Sequence, residues 1–295
     1  MWQAGAVRDR LARAHGFAED ALEIVPIRTS GDRIQDRALL EAGGKGLFTK
    51  EIEEALLSGA VDLAVHSAKD MQTYLPAGLT IGAYLEREDV RDALIAPGCA
   101  RLEDLPQGAR LGTASLRREA LLRRARPDLA IELIRGNVPT RLRRVEAGEY
   151  HATLLASAGL RRLGLDGHIT AMLPLDAFPP ACGQGAVAIE CREDDARIRD
   201  LIAAINDAET SHAVTCERAF LAVLDGSCRT PIAGYARVND GELRFDGLLL
   251  SADGLETYEA SVSGRAADAT GLGQVAGYEI RERAPEPFLR KLGIG

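Results

Sequence analysis

Short apolar strands alternate with amphipathic helices along the first two thirds of the chain, and this alternation restricts the fold more than any other feature of the sequence. A strand, a helix and a second strand in that order are typical of βαβ units with parallel strands, because the connecting helix packs back on the sheet. We therefore expect layered α/β structure here. Strands are predicted at residues 22–27, 61–65, 109–113, 130–134, 152–156 and 186–191, and helices at residues 48–57, 116–125, 140–147 and 195–205.

The last third of the chain has a different pattern. After a predicted helix at residues 211–224, three strand-like segments are separated by NDG at residues 239–241 and ADG at residues 252–254, both of which are hairpin signals. A chain of 295 residues is also about twice the usual size of one domain. The sequence thus predicts two or three domains, the last of them a small antiparallel sheet with helices. Its strands are expected at residues 232–238, 243–250 and 257–262.

Charge and cysteine content exclude several classes of protein. With 36 Lys and Arg against 44 Asp and Glu, the formal net charge is -8, which argues against a general electrostatic grip on nucleic acid. The chain shows no signal-peptide pattern and no run of about 18 apolar residues, so we expect a cytoplasmic protein that binds neither membrane nor nucleic acid. The cysteines stand singly and their number is odd, a poor basis for disulfides or a metal site. They are Cys99, Cys182, Cys191, Cys216 and Cys228.

A basic segment within this acidic protein predicts an anion site. Between residues 117 and 144 there are nine arginines against three acidic residues. Arg117 and Arg118 follow one predicted strand and Arg135 follows the next, and these strand ends and helix starts are where α/β sheets bind ligands. A guanidinium there can hold a carboxylate through two hydrogen bonds. Five other arginines are expected only to solvate helix faces: Arg123, Arg124, Arg126, Arg143 and Arg144.

The segment His66-Ser67-Ala68-Lys69-Asp70 directly follows an apolar strand. Lys69 and Asp70 are therefore placed to act on a ligand, because the strand fixes them while its tip stays open. We expect His66 to be structural, since the chain has no G-x-S-x-G elbow with which a histidine could form a hydrolase triad.

Two loops leave their role open from the residues alone. The glycine-rich loop at residues 43–48 is not a Walker A motif, because Leu39 stands where that motif requires its first glycine. This loop is either a tight turn into the next helix or a flexible loop over an active site. Cys228 lies after a helix and beside Arg229, a setting that lowers the pKa of a thiol, and its context fits a reactive and a structural cysteine equally well.

Nine ordered segments resemble the porphobilinogen deaminase family, also called hydroxymethylbilane synthases, and they cover nearly the whole chain. They read GGKGLFTKEIE, VDLAVHSAKD, GTASLRR, RPDL, RGNVPTRL, ASAGLRRLGL, GQGAVAIEC, ERAFL and GSCRTPIAGYA. The resemblance implies two α/β lobes like those of periplasmic solute-binding proteins, joined by two crossing segments, and a small C-terminal α+β domain with an antiparallel sheet. The implied domains are residues 1–86 with 186–205, residues 91–180, and residues 208–295.

The resemblance also implies a transferase of tetrapyrrole (haem) biosynthesis. Such an enzyme would deaminate four porphobilinogen molecules and join them into hydroxymethylbilane, on a dipyrromethane cofactor held by a thioether to Cys228. Asp70 matches the family's catalytic carboxylate, and cations would bind the acetate and propionate of each pyrrole. Contacts with cofactor or substrate are implied for Lys69, Ser67, Thr113, Ser115, Arg117, Arg118, Arg135, Arg141, Arg162 and Gln184, and membership of the active-site loop is implied for Lys45 and Phe48.

The chain departs from the family pattern in two places. Family members normally begin with a strand and a motif like R-I-x-T-R-x-S-P-L-A-L-W-Q-A, whereas this sequence opens at Met1-Trp2-Gln3-Ala4, without that strand and its Arg and Ser. We expect this 295-residue form to be less active and less stable than an extended one. Gln72 stands where the family commonly has proline, which changes loop stiffness but not chemistry.

Three other classes of protein compete with this interpretation. A non-catalytic solute-binding protein for an anionic small molecule would have the two lobes but no need of a third domain presenting Cys228. An effector domain of a LysR-type regulator shares the lobes, but no helix-turn-helix sequence and no basic pI accompany them here. A thiol enzyme that pairs Cys228 with a histidine lacks a local signature around the cysteine. Family members are usually monomers, and we expect a monomer without a metal.

Overall fold

The computed structural model describes residues 1–18, 20–29, 49–226 and 230–294. Within these residues there are three β-sheets, each covered by helices. Two sheets belong to α/β lobes and the third is the antiparallel sheet of a C-terminal α+β part, so the predicted fold class is confirmed. The predicted domain boundaries stay predictions. None of the helices in the described ranges is both long and apolar enough to cross a membrane.

The helices and strands of the described residues are numbered here in chain order. They are α1 (Trp2–His15), α2 (Lys50–Leu57), β1 (Leu63–Ser67), β2 (Leu79–Tyr84), β3 (Asp92–Ile95), β4 (Arg110–Gly112), α3 (Leu116–Ala125), β5 (Ala130–Glu132), α4 (Val138–Glu146), β6 (Ala152–Ala156), α5 (Ser157–Arg162), β7 (Ala171–Met172), β8 (Val187–Arg192), α6 (Ala196–Ala203), α7 (Ala208–Val223), β9 (Ile232–Asn239), β10 (Glu242–Leu250), β11 (Thr257–Arg265), α8 (Ala269–Arg283) and α9 (Glu286–Lys291).

The sheet of the first lobe departs from the predicted parallel order. β8 lies between β1 and β2 and runs antiparallel to both, because it follows the return of the chain from the second lobe and enters from the opposite end. α1 and α6 cover one face, where Leu11, Ile189 and Ile202 are buried together. This order brings Ser67, the last residue of β1, opposite Val187, the first residue of β8.

The predicted strand at residues 22–27 is wrong, since these residues form neither strand nor helix. A strand is stable only when a neighbouring backbone satisfies its N–H and C=O groups. Among the described residues, no strand pairs with this segment. Leu22 still packs against the core of the first lobe, whereas Val25 is half exposed.

The sheet of the second lobe has the order β5-β4-β6-β3-β7. β4 is parallel to β5 and β6, as the alternation of strands and helices predicts. β3 is antiparallel to its neighbours β6 and β7. Leu111, Leu121 and Leu154 form the centre of the core under α3. Three residues separate the end of β4 from α3, so the first turn of α3 stays close to the end of this strand.

Two helices begin earlier than predicted because polar side chains cap them. Asn137 accepts the Thr140 N–H at 3.1 Å, so α4 begins at Val138 and not at residue 140. Asp207 accepts the Thr210 N–H at 2.8 Å, so α7 begins at Ala208 and not at residue 211.

The third sheet is an antiparallel meander of β9, β10 and β11. Both predicted hairpin turns are present. Asp240 and Gly241 have φ angles of 50° and 79°, as a type I′ turn requires, and Gly254 has a φ of 76°. α7 and α8 cover one face of this sheet around Phe220 and Phe245.

The three parts meet at two crossing segments, residues 85–91 and 173–186, which connect the lobes. The third sheet also contacts the second lobe, because Leu248 and Leu250 share a core with Leu121. Residues from all three parts therefore lie close to the crossing segments.

Candidate functional site

Asp92, the first residue of β3, is the centre of a buried ionic cluster. Its carboxylate accepts hydrogen bonds from Arg117 Nη2 and Arg118 Nη2, each at 2.7 Å, and from Gln184 Nε2 at 2.8 Å. Burial alone would raise the pKa of Asp92, but the two guanidinium charges hold it well below its usual range. Sequence reasoning missed this residue, although an acid at the start of the apolar run DALI is an available signal.

Arg117 and Arg118 use further donors on the backbone. Arg117 Nη1 donates to the Pro179 carbonyl in the second crossing segment at 2.7 Å, and Arg118 Nη1 donates to the Leu154 carbonyl at 2.9 Å. Both side chains are buried, and the Nε of each has no hydrogen-bond partner among the described residues. These arginines thus combine a structural role with donors that remain unused.

Lys69 and Asp70 lie in a short 3-10 turn, Ala68–Asp70, that follows β1 and is called the Asp70 turn below. Lys69 Nζ donates to Gln184 Oε1 at 3.2 Å. Burial lowers the pKa of Lys69 to about 8; the nearby Asp70 charge opposes this shift and the Arg118 charge adds to it. Asp70 itself is exposed, so its carboxylate is available to a ligand.

The turn around Gln184 fits closely against the Asp70 turn. Gly183 has a φ of 75°, and a Cβ on it would lie 2.9 Å from the Ala68 carbonyl carbon and from the Lys69 nitrogen. Only glycine satisfies both requirements. The close packing keeps the Gln184 side chain between Lys69 and Asp92.

Arg135 and Arg141 bring further positive charge to the same place. The pKa of Arg141 is lowered to about 10, mainly by burial; the charges of Arg118 and Arg135 contribute to this shift and the charge of Asp70 opposes it. Arg135 Nε is buried without a hydrogen-bond partner among the described residues. Lys69, Arg117, Arg118, Arg135 and Arg141 are called the cation cluster below.

The predicted hydroxyl contacts have structural partners. Gln3 Nε2 donates to Ser67 Oγ at 2.9 Å, which fastens α1 to the end of β1. Thr113 Oγ1 accepts the Ser115 N–H at 3.2 Å, and Ser115 Oγ accepts the Arg118 N–H at 3.4 Å, so both hydroxyls build the start of α3.

Arg162 lies at the crossing segments and apart from the contacts of Asp92. Its Nη2 donates to the Gly185 carbonyl at 2.6 Å, and its guanidinium lies 5.7 Å from the centre of the Trp2 ring. Burial lowers the pKa of Arg162, while the Glu88 charge opposes the shift. The structure therefore places this predicted ligand residue at the edge of the site, between α5 and α1.

Glu217 on α7 is a second buried acid that sequence reasoning missed. It accepts two hydrogen bonds from Arg87 in the first crossing segment, at 2.7 and 3.0 Å. It also accepts the backbone N–H of Gly183 in the second crossing segment at 2.6 Å and that of Ala236 on β9 at 2.8 Å. One carboxylate thus ties the third part to both crossing segments.

Each of the five arginines that were expected to solvate helix faces has a polar partner in the structure. Arg123 pairs with Glu119 at 2.8 Å and Arg144 with Glu149 at 2.7 Å. Arg126 does more than solvate a helix, because it pairs with Asp128 and also donates to three backbone carbonyls. The remaining two contacts join Arg124 to Glu259 and Arg143 to Thr140.

His66 is buried and its Nε2 lies 3.0 Å from Glu190 Oε2 across β1 and β8. This pairing within the sheet supports the structural role expected of His66. Cys182, Cys191 and Cys216 are buried free thiols. Among the described residues no cluster of His, Cys, Asp and Glu could hold a metal.

Three predicted site residues, Lys45, Phe48 and Cys228, lie outside the described residues. Within those ranges, the site contains the five cations of the cation cluster against the carboxylates of Asp70 and Asp92. Buried donors that lack partners, together with a surplus of positive charge, favour a ligand with several carboxylates.

Comparison with known proteins gives a consistent family. The family model described as porphobilinogen deaminase, dipyromethane cofactor binding domain, matches residues 1–200, and the model of the porphobilinogen deaminase C-terminal domain matches residues 211–282. The porphobilinogen deaminases of Nitrobacter hamburgensis and Nitrobacter winogradskyi are 59% and 58% identical over 286 residues, which is 97% of this chain and 90% of each relative. A periplasmic substrate-binding protein of an ABC transporter from Coxiella burnetii is 15% identical, with a TM-score of 0.42 over 69% of this chain and 86% of that protein.

Proposed function

The chain belongs to the porphobilinogen deaminase family, and on this basis we propose that Asp70 and the cation cluster form its active site. The enzyme releases ammonia from porphobilinogen and polymerises it in tetrapyrrole biosynthesis, with a dipyrromethane cofactor. The observation that carries the site assignment is the surplus of positive charge, from two buried and three half-buried cations, beside an exposed carboxylate.

The residues present fit a dipyrromethane. Each pyrrole ring of this group carries an acetate and a propionate, so the cofactor needs several guanidinium or ammonium partners. The Nε groups of Arg117, Arg118 and Arg135 are buried donors without partners among the described residues, and bound carboxylates would satisfy them. When bound, the cofactor supplies the covalent primer to which substrate units are added.

Asp70 is proposed as the catalytic carboxylate. Its side chain is exposed on the turn, while Lys69 beside it points into the cluster toward Gln184. Positive charge develops on the substrate as ammonia leaves, and a fixed carboxylate at that point stabilises it. The neighbouring cations bind the substrate carboxylates and so orient the reacting atoms next to Asp70.

Cys228 is proposed to carry the cofactor, and Lys45 and Phe48 to belong to the loop over the active site. Support for Cys228 comes from Gly226, two residues before it, whose carbonyl accepts a hydrogen bond from Thr73 at 2.7 Å. Thr73 is three residues from Asp70. The chain that leads to Cys228 therefore starts beside the Asp70 turn.

The domain boundaries and the solution state are also proposals. Three cores, around Ile189, Leu154 and Phe245, support the division into residues 1–86 with 186–205, residues 91–180, and residues 208–295. The core around Leu154 is built mainly from the second lobe and is completed by Leu248 and Leu250 of the third sheet. We propose a monomer in the cytoplasm that binds porphobilinogen and neither nucleic acid nor membrane.

Asp70→Asn tests the active site. We expect kcat to fall at least about 100-fold, because the amide cannot stabilise a positive charge, while the fold and the cofactor mass stay as in the wild type. Asp62→Asn, which removes an exposed acid from the same lobe, is the control and should keep wild-type turnover. Wild-type turnover in a fully loaded Asp70→Asn enzyme would disprove the assignment.

A further inference from the structure

The segment after Asp70 joins the first lobe to the end of α7 in the third part. Arg218 Nη2 donates to the backbone carbonyls of Gln72 and Thr73 at 2.8 and 3.0 Å. Thr73 Oγ1 donates to the Gly226 carbonyl at 2.7 Å, and Tyr74 Oη donates to the Ala222 carbonyl at 3.1 Å. Four hydrogen bonds thus connect this short segment to α7 and the residues that follow it.

The hydrogen bonds of Arg218 end on the backbone of the segment, and that of Tyr74 ends on the helix. Arg218 binds main-chain carbonyls, which any residue at positions 72 and 73 would present. Tyr74 reaches the last turn of α7 and is largely exposed. Neither side chain forms a hydrogen bond with a described residue beyond the end of α7.

Thr73 differs because its partner lies past the end of the helix. The Gly226 N–H donates to the Leu221 carbonyl at 2.8 Å, and a Cβ on Gly226 would lie 2.8 Å from Ile232 Cδ1 and 2.9 Å from Leu221 Cδ2. Gly226 is therefore held by three contacts: the hydrogen bond from its N–H to Leu221, the packing against Ile232 and Leu221, and the hydrogen bond from the Thr73 hydroxyl. Two residues of chain span at most about 7 Å, so the position of Gly226 limits where Cys228 can present a cofactor.

We propose that Thr73 is a positioning residue, which holds the start of the cofactor-bearing loop against the Asp70 turn. This inference rests on the proposed roles of Asp70 and Cys228. The hydroxyl of Thr73 makes its bond away from the cation cluster, so its loss should leave substrate affinity unchanged. It should lower kcat, because the growing chain is then held less firmly beside Asp70.

The first test measures hydrogen–deuterium exchange of the peptide at residues 224–232 in protein with Cys228→Ser, which carries no cofactor. Thr73→Val removes the hydroxyl and keeps the side-chain shape, and it should speed exchange roughly fivefold, the effect of one lost hydrogen bond. Thr73→Ser should restore the wild-type rate. Tyr74→Phe is the matched control, since it removes a neighbouring hydroxyl bond that ends on α7 itself, and it should leave this peptide unchanged.

The second test measures turnover of the fully loaded variants in the Cys228 background. Thr73→Val should lower kcat roughly fivefold at constant KM, and Thr73→Ser and Tyr74→Phe should not lower it. Unchanged exchange in Thr73→Val, or faster exchange with wild-type kcat, would overturn the proposal. If the proposed active site is wrong, Asp70→Asn will have wild-type turnover. That outcome does not change the hydrogen–deuterium exchange expected of the Thr73 variants.

Discussion

Replacement of Asp92 by Asn perturbs the site most directly, because this carboxylate is the shared charge partner of two buried arginines. Arg117 and Arg118 each donate to it at 2.7 Å and Gln184 donates at 2.8 Å. Asn removes the charge and directs an amide N–H₂ toward a guanidinium. Removing one partner of a buried ion pair costs about 3–5 kcal/mol, since the other charge stays buried without compensation. We expect Asp92→Asn to lower the free energy of unfolding of the cofactor-free protein by about 4 kcal/mol.

Urea unfolding followed by circular dichroism measures this loss. Glu119→Gln is the control, because it removes the acidic partner of Arg123 on the exposed face of the same helix, where an i,i+4 pair contributes about 0.3–0.5 kcal/mol. The loss should be smaller in the loaded enzyme, since the cofactor carboxylates offer Arg117 and Arg118 new partners. A loss within about 1 kcal/mol of the control would show that Asp92 does not compensate the buried charges of Arg117 and Arg118.

Two further variants test the electrostatics of the site and of the crossing segments. The pKa of Lys69 is lowered from 10.5 to about 8, which corresponds to at most roughly 3 kcal/mol of cost for the protonated form. Lys69→Met should therefore raise the melting temperature of the cofactor-free protein at pH 7. This gain should shrink between pH 8 and 10.5, because the folded wild type has lost the Lys69 proton in that range. A gain that does not depend on pH would show that the buried charge of Lys69 is not its cause. Glu217→Gln should lower the free energy of unfolding in urea by about 3–5 kcal/mol, because Arg87 stays buried without its charge partner. A loss no larger than that of the exposed control Glu259→Gln would show that the Arg87 pair is not the source of stability.

The parallel strands of the second lobe could be predicted because they alternate with helices along the chain, whereas β3 and β7, which pair antiparallel, were missed. β4, β5 and β6 follow one another with helices between them, and each is paired in parallel as the alternation implies. The first lobe could not be predicted in the same way, since its central strand begins at Val187, far along the chain from β1. Local periodicity contains no information about that pairing.

The charged side chains of the site could be predicted from the sequence, but the acidic residues that pair with them could not. Arg117 and Arg118 are visible in the sequence as cations at a strand end, yet the acid that binds both lies 25 and 26 residues away. Glu217 pairs with Arg87 across 130 residues. A sequence shows which groups are charged, whereas the fold decides which charges meet and which remain free for a ligand.

The intact mass of the purified protein, measured beside a Cys228→Ser control, shows whether Cys228 carries the dipyrromethane cofactor. We predict that the protein with Cys228 carries an excess equal to two porphobilinogen units less their ammonia, and that the control has the mass of the bare chain. A bare mass for both proteins after incubation with porphobilinogen would contradict this prediction.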